Sequence, residues 1–166
     1  MLRRLFGLLR KKPTPARAAR QPPRRPRPGA GIPPPAKPGQ AHDYDGPVAV
    51  TYAPQHDLDP DPGEVVWTWV PYEEDSSVGK DRPVVVVGRV GSDCAVVMLS
   101  SKDHHDEPNW MVLGAGAWDV DGRVSSVRLD RVLVVAPGAV RREGSALDEA
   151  RFDRLIDRLR AMHHWR

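Results

Sequence analysis

The sequence has a single cysteine and no long apolar run. Because Cys94 is alone among 166 residues, a disulfide framework and a cysteine-built zinc site are both excluded. No apolar run approaches the roughly 20 residues that a membrane-spanning helix needs. The apolar patch at residues 5–9 is shorter than the hydrophobic region of a secretory signal, and no small-residue cleavage site follows it. We therefore expect a cytoplasmic protein.

Acidic residues are absent from the first 42 positions, which hold 11 Lys and Arg and 10 of the 18 prolines. Residues 43–166 carry 14 basic and 22 acidic residues, a net charge of −8. This contrast divides the chain into a basic, proline-rich arm (residues 1–42) and an acidic domain. The arm holds too few large apolar residues to offset the entropy cost of ordering, so it is predicted to be disordered. Residues 43–62 are predicted to be a linker and residues 63–166 the folded domain.

The basic arm allows three interpretations. Clustered arginines attract the phosphates of RNA or DNA. A short apolar face formed by Leu2, Leu5, Phe6 and Leu9, with basic residues around it, is typical of weak attachment to a membrane surface. A solvated tail that keeps the domain soluble explains the same composition. Between the two binding roles, contact with nucleic acid is favoured over contact with a membrane.

The domain shows a rapid succession of strand signals, rich in valine and separated by polar loops. Helical patterns between the strands are scarce, which argues against alternating strands and helices. In the last strand, Val127, Leu129, Arg131 and Leu133 are expected on one face. The predicted strands are 64–70, 82–87, 94–99, 110–113 and 124–135, with a possible short edge strand at 48–52.

The end of the sequence changes to helical spacing, which predicts a helix over residues 145–163. Ser145 is the candidate N-cap, with Asp148 three residues later completing a capping box. The apolar positions that repeat at helical spacing are Phe152, Leu155, Ile156, Leu159 and Met162. The predicted fold is therefore mainly β: a small, mostly antiparallel barrel or a strongly curved sheet, followed by one C-terminal helix.

Arg82 stands directly before Pro83 at the start of the second predicted strand. Proline disfavours the helical region for the residue before it, so Arg82 is held extended and its guanidinium direction is restricted. Such a fork suits a phosphate, to which it can donate two hydrogen bonds at once. An ordinary surface ion pair with Asp81 or Glu73 is the alternative.

Two further groups of polar residues follow the third predicted strand. Ser100, Ser101 and Lys102 end it with side chains that can bond a phosphate or assist proton transfer, although a strand-terminating turn has the same composition. His104 and His105 then lie in an acidic loop, where their types suit acid–base chemistry or zinc. They are adjacent in sequence and lack a third ligand at a recognisable spacing, so a solvated loop is favoured over an active-site histidine and over a metal site. No cofactor is expected.

Tryptophan and net charge bear on nucleic-acid binding by the domain. Trp67 and Trp69 share one face of a strand, either as stacking platforms for bases or as core residues. Residues 63–142 carry 9 basic and 12 acidic groups, a net charge of −3. Any contact between RNA and the domain is therefore expected to be local or assisted by the arm.

Four blocks, in order, resemble the MazF/PemK toxin family over roughly residues 62–160. That family has a Gly-Asp/Glu-Ile/Val strand, an Arg-Pro step entering a valine-rich strand, a Pro-Leu-Thr-Ser block and a Ser-x-Val-x-Leu-Asp-Gln-Ile block. The blocks here are Gly63-Glu-Val-Val-Trp67, Gly79-Lys-Asp-Arg-Pro-Val-Val-Val-Val87, Met98-Leu-Ser-Ser101 and Ser125-Ser-Val-Arg-Leu-Asp-Arg-Val132.

The resemblance implies an SH3-like barrel, a homodimer and a metal-independent endoribonuclease that cuts single-stranded RNA and is neutralised by a cognate antitoxin protein. It assigns the catalytic arginine to Arg82 and the catalytic hydroxyl to Ser100. Lys80, Ser101, Lys102 and His104 are then the expected RNA-binding residues, with no metal.

The sequence departs from the family pattern at several positions. Ser100 replaces threonine, Met98 replaces proline and Arg131 replaces glutamine, while the loop before the Arg-Pro step keeps only Gly79. His104 or His105 is a possible base. An SH3-like module that binds nucleic acid or a partner without turnover is therefore the alternative function, and a metal-dependent hydrolase at His104 and His105 is a third.

Overall fold

The computed structural model describes residues 41–54 and 59–165. They form one antiparallel sheet followed by a helix, which confirms the predicted mainly β fold with a C-terminal helix. In chain order the elements are β1 (Ala41–Asp43), β2 (Glu64–Pro71), β3 (Gly79–Val90), β4 (Asp93–Ser100), β5 (Trp110–Gly114), β6 (Ser125–Val135), a 3₁₀ turn (Pro137–Ala139), β7 (Arg141–Ala146) and α1 (Glu149–His163).

Residues 41–54 pack against the sheet. Val48 is buried in the core, and Ala49 and Arg89 exchange both backbone hydrogen bonds at 3.0 Å. The edge strand expected at 48–52 is reduced to this single bridge. Part of the predicted linker therefore adheres to the domain through an apolar anchor. The disorder predicted for the basic arm lies outside the described residues, except that residues 41 and 42 belong to β1.

The sheet is open at its ends. Its hydrogen-bonded order is β1-β6-β4-β3-β2-β7, with β5 also pairing with β6, and every described pair of strands is antiparallel. The strands that end this order, β1 and β7, are only three and six residues long. They do not pair with each other within the described residues, so the barrel that the sequence predicts is not closed by a backbone ladder.

A side chain links β1 to β2 where backbone bonds do not. The guanidinium of Arg131 donates to both carboxylate oxygens of Asp43 in β1, at 2.6 and 3.1 Å, and to the carbonyl of Pro71 in β2 at 2.9 Å. Arg131 is 7% exposed, which leaves little water to replace these acceptors. This position, where the family pattern has glutamine, thus fastens two strands together.

Arg131→Met should lower the free energy of unfolding by about 2 kcal/mol, because the buried Pro71 carbonyl loses a charged donor. Urea unfolding followed by tryptophan fluorescence measures the change. Asp43→Asn is the matched control, since the Asp43 side chain is 62% exposed and its charge should contribute less than about 1 kcal/mol. Equal losses in the two variants would show that the ion pair, and not the buried carbonyl, carries the effect.

Both faces of the sheet are covered by apolar side chains. Val84 and Val86 of β3 join one buried cluster, here called the opposite core, whereas Val85 and Val87 join a second cluster, the helix-side core, which contains the buried side of α1. All four valines are inaccessible to solvent. A strand covered on both faces has a continuous apolar run instead of an alternating one, which explains the valine run.

The predicted alternation in β6 holds only for its first half. Val127 and Leu129 lie in the helix-side core as expected, but Leu133 lies in the opposite core and Val132 takes the helix side. Between the pairs Val127–Leu99 and Val132–Val97, β6 advances five residues while β4 advances two. Extra residues of this kind bend a strand and shift its side-chain phase, so the prediction was wrong beyond Leu129.

Helix α1 begins four residues later than predicted. Ser145 belongs to β7, where it pairs with Val65, and Asp148 is the N-cap, its carboxylate accepting the N–H of Arg151 at 2.9 Å. The predicted N-cap was therefore wrong, because Ser145 is part of the β2–β7 ladder and the helix starts after it. The helical periodicity is confirmed by four buried residues: Phe152, Leu155, Ile156 and Leu159. With 15 residues in α1, the described part of the chain has no helix suited to crossing a membrane.

Candidate active site

Arg82 lies on β3 with an unpartnered guanidinium. It faces Thr68 of β2 in the strand register and is half-buried. It shares a face of β3 with Val84, which belongs to the opposite core, because alternate residues of a strand point the same way. Among the described residues it has no hydrogen-bond or ion-pair partner. Its fork is thus available to an anion.

The two carboxylates expected to compete for Arg82 are bound elsewhere. Asp81 accepts a hydrogen bond from Arg141 at 2.8 Å, and this bond raises the pKa of Arg141 further above its ordinary value. Glu73 forms an ion pair with Arg128. The surface ion pair that the sequence allowed for Arg82 is therefore not formed.

Ser100 is the last residue of β4. The β3–β4 pairs end at Val84 and Met98. Arg82 lies two residues beyond Val84 on β3, and Ser100 lies two residues beyond Met98 on β4. Met98 and Val84 both belong to the opposite core, so Arg82 and Ser100 lie on the same face of the sheet.

The hydroxyl of Ser100 begins a chain of hydrogen bonds. His104 Nε2 lies 2.9 Å from Ser100 Oγ, and His104 Nδ1 lies 2.7 Å from a carboxylate oxygen of Glu107. The backbone N–H of Lys102 donates to the same Ser100 oxygen at 3.2 Å. A carboxylate only accepts hydrogen bonds, so when the ring is neutral its proton lies on Nδ1 and Nε2 can accept the Ser100 proton.

Trp110 holds the His104 ring in place. The two rings are stacked with centroids 3.6 Å apart and planes within 5°. Trp110 is the first residue of β5 and also packs against the opposite core, so the platform is anchored in the sheet. The His104 side chain is only 12% exposed. Stacking and the two ring hydrogen bonds together leave the imidazole one orientation.

Arg128 connects the loop between β2 and β3 to this site. It lies opposite Trp110 in the β5–β6 register and binds both Glu73 of the loop and Asp130. The Arg128 hydrogen bonds lower the pKa of Asp130, to which Asn109 adds a bond at 3.2 Å. The loop between β2 and β3 is therefore bound to β6 at the residue that faces Trp110.

The side chains of the other predicted site residues make none of the contacts with the Ser100 or His104 side chains described above. The side chains of Lys80, Ser101 and Lys102 are exposed, with Lys80 on the same face of β3 as Arg82. His105 is bonded to Asp106 and its side chain is 82% exposed, so the two histidines are not brought together. Within residues 41–54 and 59–165 there is no cluster of three or more side chains suited to holding a metal ion.

Trp67 and Trp69 belong to neither core. Both are half-buried, and their indole nitrogens are buried without a hydrogen-bond partner among the described residues. Arg141 lies over the Trp67 ring, 5.8 Å from its centroid. The pair therefore lies on β2 between β3 and β7, outside both apolar clusters.

Sequence reasoning did not identify Glu107, Trp110 or Arg128 as site residues. The spacing of three between His104 and Glu107 was a signal for their contact, since a single turn brings such positions together; the turn is closed by a 3.0 Å backbone bond between the same two residues. The places of Trp110 and Arg128 depend on the β5–β6 register, which no local pattern reveals.

Comparison with known proteins agrees with the motif blocks. A search of curated proteins finds no match. The family model described as PemK-like, MazF-like toxin of type II toxin–antitoxin system matches residues 61–163, which include every strand from β2 onward and α1. That match spans more than half of the chain. The chain therefore belongs to the PemK-like, MazF-like toxin family of type II toxin–antitoxin systems.

Proposed function

We propose that this toxin is a metal-independent endoribonuclease that cleaves single-stranded RNA. One observation carries the proposal: Arg82 has no partner among the described residues and shares a sheet face with the Ser100 hydroxyl. Arg128 and Arg141 are paired with carboxylates, whereas the Arg82 guanidinium has no partner among the described residues and can therefore bind a phosphate.

The chemistry needs charge stabilisation on a phosphate. When the RNA 2′-hydroxyl attacks the adjacent phosphorus, negative charge builds up on the non-bridging oxygens of a pentacoordinate phosphorane. A preorganised donor aimed at that charge is worth more in the transition state than in the ground state. Arg82 takes this role, and Ser100 positions the attacking 2′-hydroxyl or the phosphate. The products are a 2′,3′-cyclic phosphate and a 5′-hydroxyl.

RNA binding at this site depends on few residues. Lys80, Ser101 and Lys102 are exposed and can contact the backbone of the bound strand, and His104 lines the same end of the sheet. The loops at 72–78 and 101–109 are proposed to flank the bound RNA strand. Because the domain is acidic, the basic arm is proposed to add electrostatic attraction for nucleic acid.

The partner that the family supplies is an antitoxin protein. We propose that a cognate antitoxin neutralises this chain, that the toxin acts as a homodimer, and that both work in the cytoplasm. Growth arrest on expression, relieved by co-expression of the cognate antitoxin, is the expected behaviour in cells.

The direct test is incubation of the purified full chain with a long single-stranded RNA in the presence of a strong chelator. We expect discrete cuts whose 5′ fragments end in a 2′,3′-cyclic phosphate. A matched oligonucleotide with deoxyribose at the cut position should remain intact because it lacks the nucleophile. Intact RNA in the presence of folded protein would contradict the proposal, and cutting only without chelator would contradict its metal independence.

A binding module without turnover is the second candidate. It is favoured by the pairing of Arg128, Arg141 and Arg142 with carboxylates, which reduces the positive charge that the domain offers to RNA. Gel shifts at rising salt separate the two functions. Uncut RNA bound with a steep salt dependence would place affinity in the basic arm and support the module.

A further inference from the structure

The chain Ser100–His104–Glu107 has a function that the family assignment does not give it. We infer that His104 is the general base of RNA cleavage, acting through the Ser100 hydroxyl, and that Glu107 is its positioning residue. The inference rests on the proposed endoribonuclease function and names the group that removes the 2′-hydroxyl proton. Neither a serine hydroxyl nor an arginine guanidinium is an effective base at neutral pH.

The geometry is that of a complete proton relay. Ser100 Oγ and His104 Nε2 are 2.9 Å apart, and His104 Nδ1 and the Glu107 carboxylate are 2.7 Å apart. A base oriented by a third group in this way is the arrangement that activates a hydroxyl in many hydrolytic enzymes. In the neutral ring the carboxylate selects the tautomer with the proton on Nδ1, which leaves Nε2 to accept a proton.

The surrounding groups favour His104 over any other base. The carboxylates of Glu73 and Asp130 are held by Arg128, and Asp81 is held by Arg141. His105 is bonded to Asp106 and exposed. Among the described residues, His104 is the imidazole that is hydrogen-bonded to Ser100, whereas those three carboxylates are bound to arginines.

Stacking on Trp110 adds a reason for the relay to be preformed. The 3.6 Å separation and the near-parallel planes prevent the imidazole from turning away from Ser100. The ring is also shielded from solvent, with only 12% of the side chain exposed. A base that is already oriented need not lose rotational freedom as the reaction proceeds.

The step balances in atoms and electrons. The 2′-oxygen forms its bond to phosphorus as its proton passes to Ser100 Oγ and the Ser100 proton passes to His104 Nε2. The bond between phosphorus and the 5′-oxygen breaks, and the 5′-oxygen takes a proton from water. The imidazolium returns its proton through Ser100 to solvent, which leaves the protein unchanged and no net proton gained or lost.

The first test is His104→Gln in the full chain. Glutamine retains a polar group near Ser100 but accepts no proton, so kcat should fall about 100- to 10,000-fold. Binding of an oligonucleotide with deoxyribose at the wild-type cut position should stay within about threefold of wild type. Ser100→Ala should lower kcat in the same way, whereas Ser100→Thr, which restores a hydroxyl, should recover cleavage.

A substrate with sulfur in place of the 5′-oxygen separates base from acid. Sulfur leaves readily without a proton, so a variant that lacks the general acid would regain its rate on this substrate. His104→Gln should remain slow on it, since removal of the 2′-hydroxyl proton is still required. Recovery of the rate would assign His104 to the leaving group and overturn the inference.

Glu107→Gln tests the positioning residue. The amide can donate as well as accept, so it holds the ring in place while allowing the wrong nitrogen to carry the proton. We expect kcat to fall at least tenfold, with KM and oligonucleotide binding unchanged, and Glu107→Asp to recover part of the loss. A wild-type kcat in Glu107→Gln would show that Glu107 only braces the loop.

Failure of the inference and failure of the proposed function are distinguishable. If the wild-type chain leaves every RNA intact, the endoribonuclease proposal fails and the relay has no reaction to serve. If the wild type cuts RNA and His104→Gln cuts at the same rate, only the inference is overturned. Circular dichroism of each variant, compared with wild type, establishes that a loss of rate is not a loss of folding.

Discussion

Arg82→Ala is expected to lower kcat for RNA cleavage about 100- to 1000-fold, a barrier increase of about 2.7–4 kcal/mol. The reason is electrostatic, because the guanidinium supplies charge and directed donors where the phosphorane develops its negative charge. Single-turnover cleavage of a labelled RNA measures the change. The free energy of unfolding should stay within about 0.5 kcal/mol, since the Arg82 side chain has no hydrogen bond or ion pair with the described residues.

Two variants make the Arg82 result specific. Arg82→Lys keeps the positive charge but loses the planar fork, so an intermediate rate is expected. Arg154→Ala removes an exposed arginine from α1, on the other side of the sheet, and should leave cleavage unchanged. Wild-type cleavage by Arg82→Ala would remove Arg82 from the site, and equal losses in Arg154→Ala would point to overall charge as the cause.

The strands and the helix were predictable because their signals are local. A run of valines and a repeat of buried residues at helical spacing each reflect the packing of one element. The start of α1 was predicted wrongly for the same reason. Ser145 satisfies the local rules for an N-cap, but it pairs with Val65, 80 positions away, in the β2–β7 ladder. Competition between a cap and a sheet is decided by tertiary pairing.

In the candidate site, too, the residues in local motifs were predictable and the residues placed by tertiary pairing were not. Arg82 and Ser100 were identified through motif blocks, and the strand register sets them on one face of the sheet. No local sequence pattern predicts the stacking of His104 on Trp110 or the ion pair between Arg128 and Glu73. Both contacts depend on the β5–β6 pairing and on the path of the loops. The open barrel has a related cause: the end strands β1 and β7 are short and do not pair within the described residues, and β1 is joined to β2 through the Arg131 side chain.

Phe152→Ala is expected to lower the free energy of unfolding by about 3–5 kcal/mol. Phe152 is 2% exposed and lies in the helix-side core, and its ring centre is 5.1 Å from that of Tyr52. The substitution leaves a cavity between α1 and the segment before β2. Met162→Ala, on the exposed part of the same helix, is the control and should change stability by less than about 1 kcal/mol.

The outcome also determines how far the folded unit extends. Tyr52 donates its hydroxyl to the carbonyl of Leu147 at 2.9 Å, which joins residues 41–54 to the start of α1. If that segment is part of the unit, Phe152→Ala should lower the urea midpoint in one cooperative transition and increase proteolysis near residue 52. Unchanged protection of the segment would show that it adheres independently of the helix, and a loss below about 1 kcal/mol would contradict the packing of α1 on the sheet.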